Sequence, residues 1–90
     1  MSNNVIYIGG KPLESYCSAL IKTLHDFQTV KLLARGQAIS RAVDVVEVTR
    51  NRYLEGVEVI SIEIGTELLN SSYGDMRNVS NMTIILELKK

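Results

Sequence analysis

The spacing of apolar residues switches repeatedly along this chain, and the order of the switches restricts the folds open to it. Alternating apolar residues and short β-branched runs predict strands, whereas apolar residues three and four positions apart predict helices. The predicted segments are strand 5–8, helix 12–26, strand 29–34, helix 38–53, strand 57–69 and strand 77–89. This β-α-β-α-β-β order predicts a two-layer α/β sandwich, with two helices on one face of a mixed four-stranded sheet.

Ninety residues make one domain, predicted here as 1–90. A chain this short buries only about two-thirds of its unfolded surface, so a lone copy is marginally stable. The second helix is rich in β-branched residues, which disfavour an isolated helix. We therefore expect both of its sides to be packed, one of them against another subunit.

Charge and cysteine content exclude several classes of protein. Ten Lys and Arg balance ten Asp and Glu, which excludes a highly basic nucleic-acid coat but allows cations grouped on one face. Cys17 and His25 are the only residues of their kinds, so a disulfide framework or a Cys/His metal site is not expected. No cofactor is expected either. Cys17 falls on the apolar stripe of the first helix and is predicted to be a core thiol.

No arrangement of side chains in the sequence favours catalysis. His25 lies at the predicted end of the first helix, where a surface histidine is the simpler interpretation. Asp44 with Arg41 and Glu47 with Arg50 have the three-residue spacing of helical ion pairs. We predict no catalytic residues and no enzyme.

The sequence also lacks the patterns of export and membrane insertion. Met1–Asn4 has no basic region followed by an apolar core, so no signal peptide is expected. No apolar run approaches the roughly 20 residues of a membrane-spanning helix. With a single cysteine, these features predict a cytoplasmic protein that does not contact membranes.

Two predicted strand-to-helix turns carry cations. Gly9–Pro12 ends a strand and opens a helix, where backbone N–H groups favour an anion, and Lys11 adds a charge there. The alternative is a tight turn with a solvated lysine. Arg35–Gln37 opens the second helix in the equivalent position, with Arg41 one turn further on. If the two strands are parallel, Lys11, Arg35 and Arg41 share one edge of the fold.

At these positions the sequence resembles the Alba family of small archaeal chromatin proteins. The likeness lies in Ile8–Pro12, Ala34–Asp44 and Arg50–Leu54, and it continues through Ile62–Thr66 and Arg77–Ser80. It covers nearly the whole chain in order, and Ala34–Asp44 is its most specific part.

The resemblance implies a dimer that binds double-stranded DNA and RNA with little sequence preference and is associated with the archaeal nucleoid. It also implies an extended β-hairpin arm that reaches into the minor groove. The nucleic-acid-binding residues that it implies are Gly10, Lys11, Arg35, Gln37, Arg41 and Arg77. An aromatic residue in the position of Tyr53 often serves contacts between neighbouring dimers.

This chain departs from the family pattern by having fewer cations. Gly10 stands where typical members have the first lysine of a pair, which in the family is a site of regulatory acetylation. Leu33 and Gln37 also replace basic residues, and Arg77 beside Asp75 is the remaining cation of the arm. Fewer phosphate contacts predict weaker binding that depends less on salt. The pattern resembles the less basic paralogues that form heterodimers with a basic member.

Two other functions stay open at this point. Relatives of the fold serve as RNA-associated subunits of ribonucleoproteins such as ribonuclease P. A neutral chain is also compatible with an interaction partner that modifies the assembly of a basic paralogue and binds little nucleic acid itself. The sequence does not rank DNA over RNA, because non-specific phosphate contacts leave no base-reading signature.

Overall fold

The computed structural model describes residues 3–71 and 73–89, so the part of the signal-peptide prediction that concerns Met1 and Ser2 lies outside it. The helices and strands follow the predicted order. They are β1 Val5–Tyr7, α1 Leu13–Phe27, β2 Thr29–Arg35, α2 Ala38–Val48, a π-helical turn Thr49–Tyr53, β3 Val57–Asn70 and β4 Met76–Leu88. Neither α-helix within the described ranges is long and apolar enough to cross a membrane.

The four strands form one mixed sheet in the order β1-β2-β4-β3. β1 runs parallel to β2, whereas β4 is antiparallel to both of its neighbours. Because β1 and β2 are parallel, the turns that lead from them into α1 and α2 lie at the same end of the sheet. The predicted two-layer sandwich is therefore confirmed.

Alternation along β2 separates the two faces of the sheet. Val30 and Leu32 are buried, whereas Lys31 between them is exposed. We call the buried side the helix-side face and the other side the open face. Both helices pack on the helix-side face, and Cys17 of α1 is 3% exposed there, which confirms a core thiol.

The second helix ends differently from its prediction. Its α-helical part stops at Val48, and the chain continues to Tyr53 as a five-residue π-helical turn. This wider turn is closed by the Leu54 N–H, which donates to the Thr49 carbonyl at 2.9 Å. Thr49 is fully buried, so the wider turn keeps this position in the core after the α-helical register has ended.

β3 presents an apolar patch to solvent. A β-bulge between Val59 and Ser61 adds Ile60 to the strand. Ile62 and Ile64 then pair with residues of the helix-side face of β4, yet the helices do not reach them. Ile60, Ile62 and Ile64 are 51%, 56% and 79% exposed, and we call these three residues the β3 patch.

β3 and β4 continue past the rest of the sheet as a two-stranded ribbon. The pairing of β2 with β4 ends at Arg35 and Asn81, whereas β3 and β4 stay paired up to Asn70 and Met76. We call the ribbon and its connecting turn, residues 66–80, the arm. It gives the molecule a long axis of 47 Å against 25 and 22 Å for the other two axes.

Candidate nucleic-acid interface

The turn between β1 and α1 is fixed from inside the protein. The Gly9 and Lys11 N–H groups donate to the Tyr16 hydroxyl at 2.8 and 3.1 Å. Tyr16 lies in the first turn of α1, and its side chain packs into the core with 7% of its surface exposed. Two N–H groups that the sequence analysis assigned to an anion therefore already have a partner. The exposed Lys11 can therefore meet an anion through its ammonium group but not through its N–H group.

Arg41 joins the two strand-to-helix turns. Its Nη2 donates to the Lys11 carbonyl oxygen at 2.7 Å, so one residue of α2 holds the backbone that carries Lys11. Its Nε is buried without a partner among the described residues. Glu47 and Arg50 form the predicted ion pair at 2.7 Å. For Arg41, a hydrogen bond to the turn takes the place of the predicted pair with Asp44.

Arg35 is exposed but is engaged by a carboxylate of the arm. Its Nη1 lies 3.2 Å from Glu67 Oε1, and Asn81 Nδ2 donates to Glu67 Oε2 at 2.8 Å. The Arg35 side chain is 58% exposed, and an ion pair in such a position is worth about 0–1 kcal/mol. A phosphate can therefore displace Glu67 at small cost, although Glu67 lowers the positive potential around Arg35.

The turn before α2 is attached to the base of the arm. The Gly36 N–H donates to the Ser80 carbonyl at 2.8 Å. A cleft of about 560 Å³ lies between turn and arm, with Gln37 on one wall and Arg77 on the other. Arg77 is exposed, and within residues 3–71 and 73–89 it forms no ion pair with Asp75. The cleft brings together two candidate residues that are 40 positions apart.

The candidate residues thus form two neighbouring groups and one outlier. Lys11 and Arg41 meet at the first turn, and Arg35 and Gln37 lie at the base of the arm. Arg77 pairs with Leu69 near the far end of the arm and faces Gln37 across the cleft. Gly10 is exposed, and a Cβ atom built on it would meet nothing within 4 Å. Tyr53 lies apart from both groups, at the end of the π-helical turn, and is 56% exposed.

Three residues of this region were missed by sequence reasoning. Tyr16 falls on the apolar stripe of α1, where a core role explains it fully. Glu67 and Asn81 meet Arg35 only through the pairing of β2, β4 and β3, which local sequence does not reveal. An acidic residue close to the predicted arm was the one available signal.

Comparison with known proteins decides the family. The profile of the family described as Alba matches residues 4–66, which contain both strand-to-helix turns and most of β3. The chain belongs to the Alba family. The resemblance described above is thereby confirmed.

Relatives with assigned names agree with this. The DNA/RNA-binding protein Alba of Methanocella arvoryzae is 44% identical over 86 residues, which cover 94% of this Alba chain and 90% of the relative. The DNA/RNA-binding protein Alba 1 of Archaeoglobus fulgidus is 43% identical over 90 residues, which cover 99% of this chain and 100% of the relative. Membership of a family of nucleic-acid-binding architectural proteins confirms that no enzyme is to be expected here.

A solved Alba structure has the same fold. Alba from Thermoplasma volcanium superimposes with a TM-score of 0.87 at 34% sequence identity. The match covers 93% of this chain and 99% of the other, so it includes the hairpin as well as the two layers.

Proposed function

We propose that this Alba protein binds double-stranded DNA and RNA as a dimer, without sequence specificity, and organises the chromosome. One observation carries the proposal: a chain of zero net charge groups Lys11, Arg35 and Arg41 at one end of its sheet, and the arm that leaves from this end carries Arg77. Cations grouped in this way make phosphate contacts, which position a nucleic acid without reading its bases. The names of its relatives support the same ligands.

The β3 patch supports the dimer. The three exposed isoleucines form an apolar surface on the part of the helix-side face that α1 and α2 do not reach. Val43 of α2 is 42% exposed as well. Clustered apolar surface on a small domain is typical of an interface between subunits. A two-fold axis through such a surface would give one particle two arms and two sets of cations.

Binding is expected to be weaker than that of basic family members. Gly10, Leu33 and Gln37 stand where those members carry cations, and Glu67 partly neutralises Arg35. Each phosphate contact that is missing reduces the slope of log affinity against log salt by about 0.9 for duplex DNA. We therefore propose a modest rather than a dominant binder, located in the cytoplasm on the nucleoid.

Titration of two unrelated duplex DNA sequences and one duplex RNA at two salt concentrations tests the proposal. We expect equal affinities for the two DNA sequences and a clear loss of affinity at the higher salt concentration, since counterion release drives phosphate binding. Light scattering on the same samples should give a dimer. Absence of binding to all three duplexes at low salt would contradict the proposal and favour a pure protein-interaction role.

An Arg77→Ala variant should weaken duplex DNA binding with little change in thermal stability. Arg77 is exposed on the arm, and a narrow minor groove attracts arginine through its enhanced negative potential. Loss of an exposed side chain usually changes the free energy of unfolding by less than about 0.5 kcal/mol. Fluorescence anisotropy with labelled duplex, beside a melting curve, measures both effects. Unchanged affinity would show that Arg77 is only a solvated residue of the arm.

We further propose that the chain pairs with a more basic paralogue at least as readily as with itself. A basic partner raises the number of phosphate contacts per dimer, and an apolar interface of the kind formed by the β3 patch needs no new charges for the exchange. Co-expression with a basic homologue, followed by the mass of intact dimers, distinguishes the two pairings. Recovery of the two homodimers alone would rule out the heterodimer.

A further inference from the structure

The open face of the sheet carries an exposed aromatic ring that the proposed duplex interface does not use. In β1, Ile6 pairs with the buried Leu32 and belongs to the helix-side face. Tyr7 therefore points to the open face, where Leu33 is its partner on β2. Tyr7 is 73% exposed, so its ring is accessible to a ligand.

Two cations flank this ring. Lys31 and Arg35 lie on the same face as Leu33, two residues before and after it, and both are exposed. Alternate residues of a strand are about 7 Å apart, so one cation lies on each side of the Tyr7–Leu33 pair. An aromatic ring between two cations is the arrangement that holds a base by stacking and its neighbouring phosphates by charge.

A depression of about 390 Å³ adjoins the ring. Its walls include Tyr7, Leu33, Arg35, Glu67, Asn81 and Thr83. Gly65 leaves room for the Asn81 side chain, because a Cβ atom there would come within 2.9 Å of Asn81 Oδ1. Asn81 instead crosses above Gly65 to reach Glu67 at 2.8 Å. The depression thus offers a stacking surface together with amide, carboxylate and guanidinium groups, which can pair with the edge of a base.

We propose that this depression holds an unpaired base of single-stranded RNA, stacked on Tyr7, with the flanking phosphates on Lys31 and Arg35. The proposal rests on the proposed nucleic-acid binding, since Arg35 belongs to both surfaces. Bases of a duplex are paired and stacked inside the helix and do not reach a ring on a sheet face. RNA loops are where unstacked bases occur, and aromatic side chains are their common partners.

The experiment uses a Tyr7→Trp variant, because the natural chain contains no tryptophan and the new indole is the only one. A 12-nucleotide oligouridylate RNA, which has no duplex structure, is titrated while the indole emission is recorded. We expect the emission to be quenched on binding, since a stacked base contacts the ring directly. A duplex RNA of equal length should bind without comparable quenching.

Affinity measurements on two variants at the same position separate the ring from its apolar character. Tyr7→Leu should lose about 5- to 150-fold in affinity for the oligouridylate, the loss expected for one base–aromatic stack. Tyr7→Phe should stay within about twofold of the parent. Phe27→Leu, which alters an exposed aromatic residue at the other end of α1, serves as the matched control and should not change the affinity.

The outcomes distinguish this proposal from the broader one. If the parent binds duplex DNA, but Tyr7→Leu binds the oligouridylate as well as the parent does, the single-strand site is wrong and the duplex function stands. If the parent binds neither ligand, the proposed function itself has failed. Equal quenching of the indole by duplex RNA would also overturn the site, since a paired base is not available for stacking.

Discussion

An Ile62→Asp variant should run as a monomer of about 10.0 kDa and should lose most of its affinity for duplex DNA. Ile62 lies in the middle of the β3 patch and is 56% exposed in the single chain. In a dimer formed through this patch, the substitution buries a carboxylate on each side of the interface without a cation to pair with. The cost of an unpaired buried charge is several kcal/mol, so the dissociation constant of the dimer should increase by more than about 100-fold.

Ser61→Asp is the matched control for this experiment. It introduces the same charge one residue earlier, but Ser61 pairs with Ile85 and therefore lies on the open face. We expect it to remain a dimer with the parent's affinity for duplex DNA. Light scattering and anisotropy measure the two properties, and circular dichroism verifies that both variants are folded. A dimeric Ile62→Asp protein would place the subunit interface elsewhere on the molecule.

Restoring two cations should steepen the salt dependence of duplex binding. In a Gly10→Lys, Gln37→Arg double variant, each new cation should add about 0.9 per phosphate contact to the slope of log affinity against log salt. Gly10 has open space around it and is not among the glycines with positive φ, so a lysine fits without strain. Gln37 is exposed on the wall of the cleft opposite Arg77.

A second double variant distinguishes local contacts from a general rise in charge. Ser18→Lys with Ala19→Arg adds two charges at exposed positions of α1 that belong to neither turn. Its net charge equals that of the Gly10→Lys, Gln37→Arg protein, yet its salt slope should match the parent's. Equal slopes for the two double variants would indicate that the strand-to-helix turns do not contact phosphate.

The two layers of this fold are predictable because the spacing of apolar residues within each strand or helix indicates which of its sides is buried. The alternation around Lys31 assigns the two faces of β2, and the apolar stripe with Cys17 assigns the buried side of α1. Both assignments are confirmed. The bulge at Ile60 was not predictable in the same way. An extra residue in a strand becomes visible only when the partner strand is known, and here the residues opposite the bulge are Leu86 and Ile85 of β4.

The candidate site was predictable to a smaller extent. Parallel β1 and β2 place Lys11 and Arg41 at the same end, as the order of the segments suggested. What the sequence did not reveal is that Arg41 holds the backbone of the Lys11 turn, or that Tyr16 takes two N–H groups of this turn. Both facts depend on how α1 and α2 pack together. The spacing of apolar residues predicts which side of a helix is buried, but not which residues of the other helix it meets.

The arm begins where the pairing of β2 with β4 ends, and it contains two strands instead of four. We therefore expect amide hydrogens of the arm to exchange faster than those of the four-stranded part of the sheet. Around Ile84, β4 has a hydrogen-bonded strand on each side and the core beneath it. Its amides should exchange only when the whole domain unfolds. Between Thr66 and Ser80 each strand has one partner, and two-stranded ribbons are marginally stable in water. The arm can therefore open and close again while the core stays folded, so it can adapt to the curvature of a groove without loss of global stability.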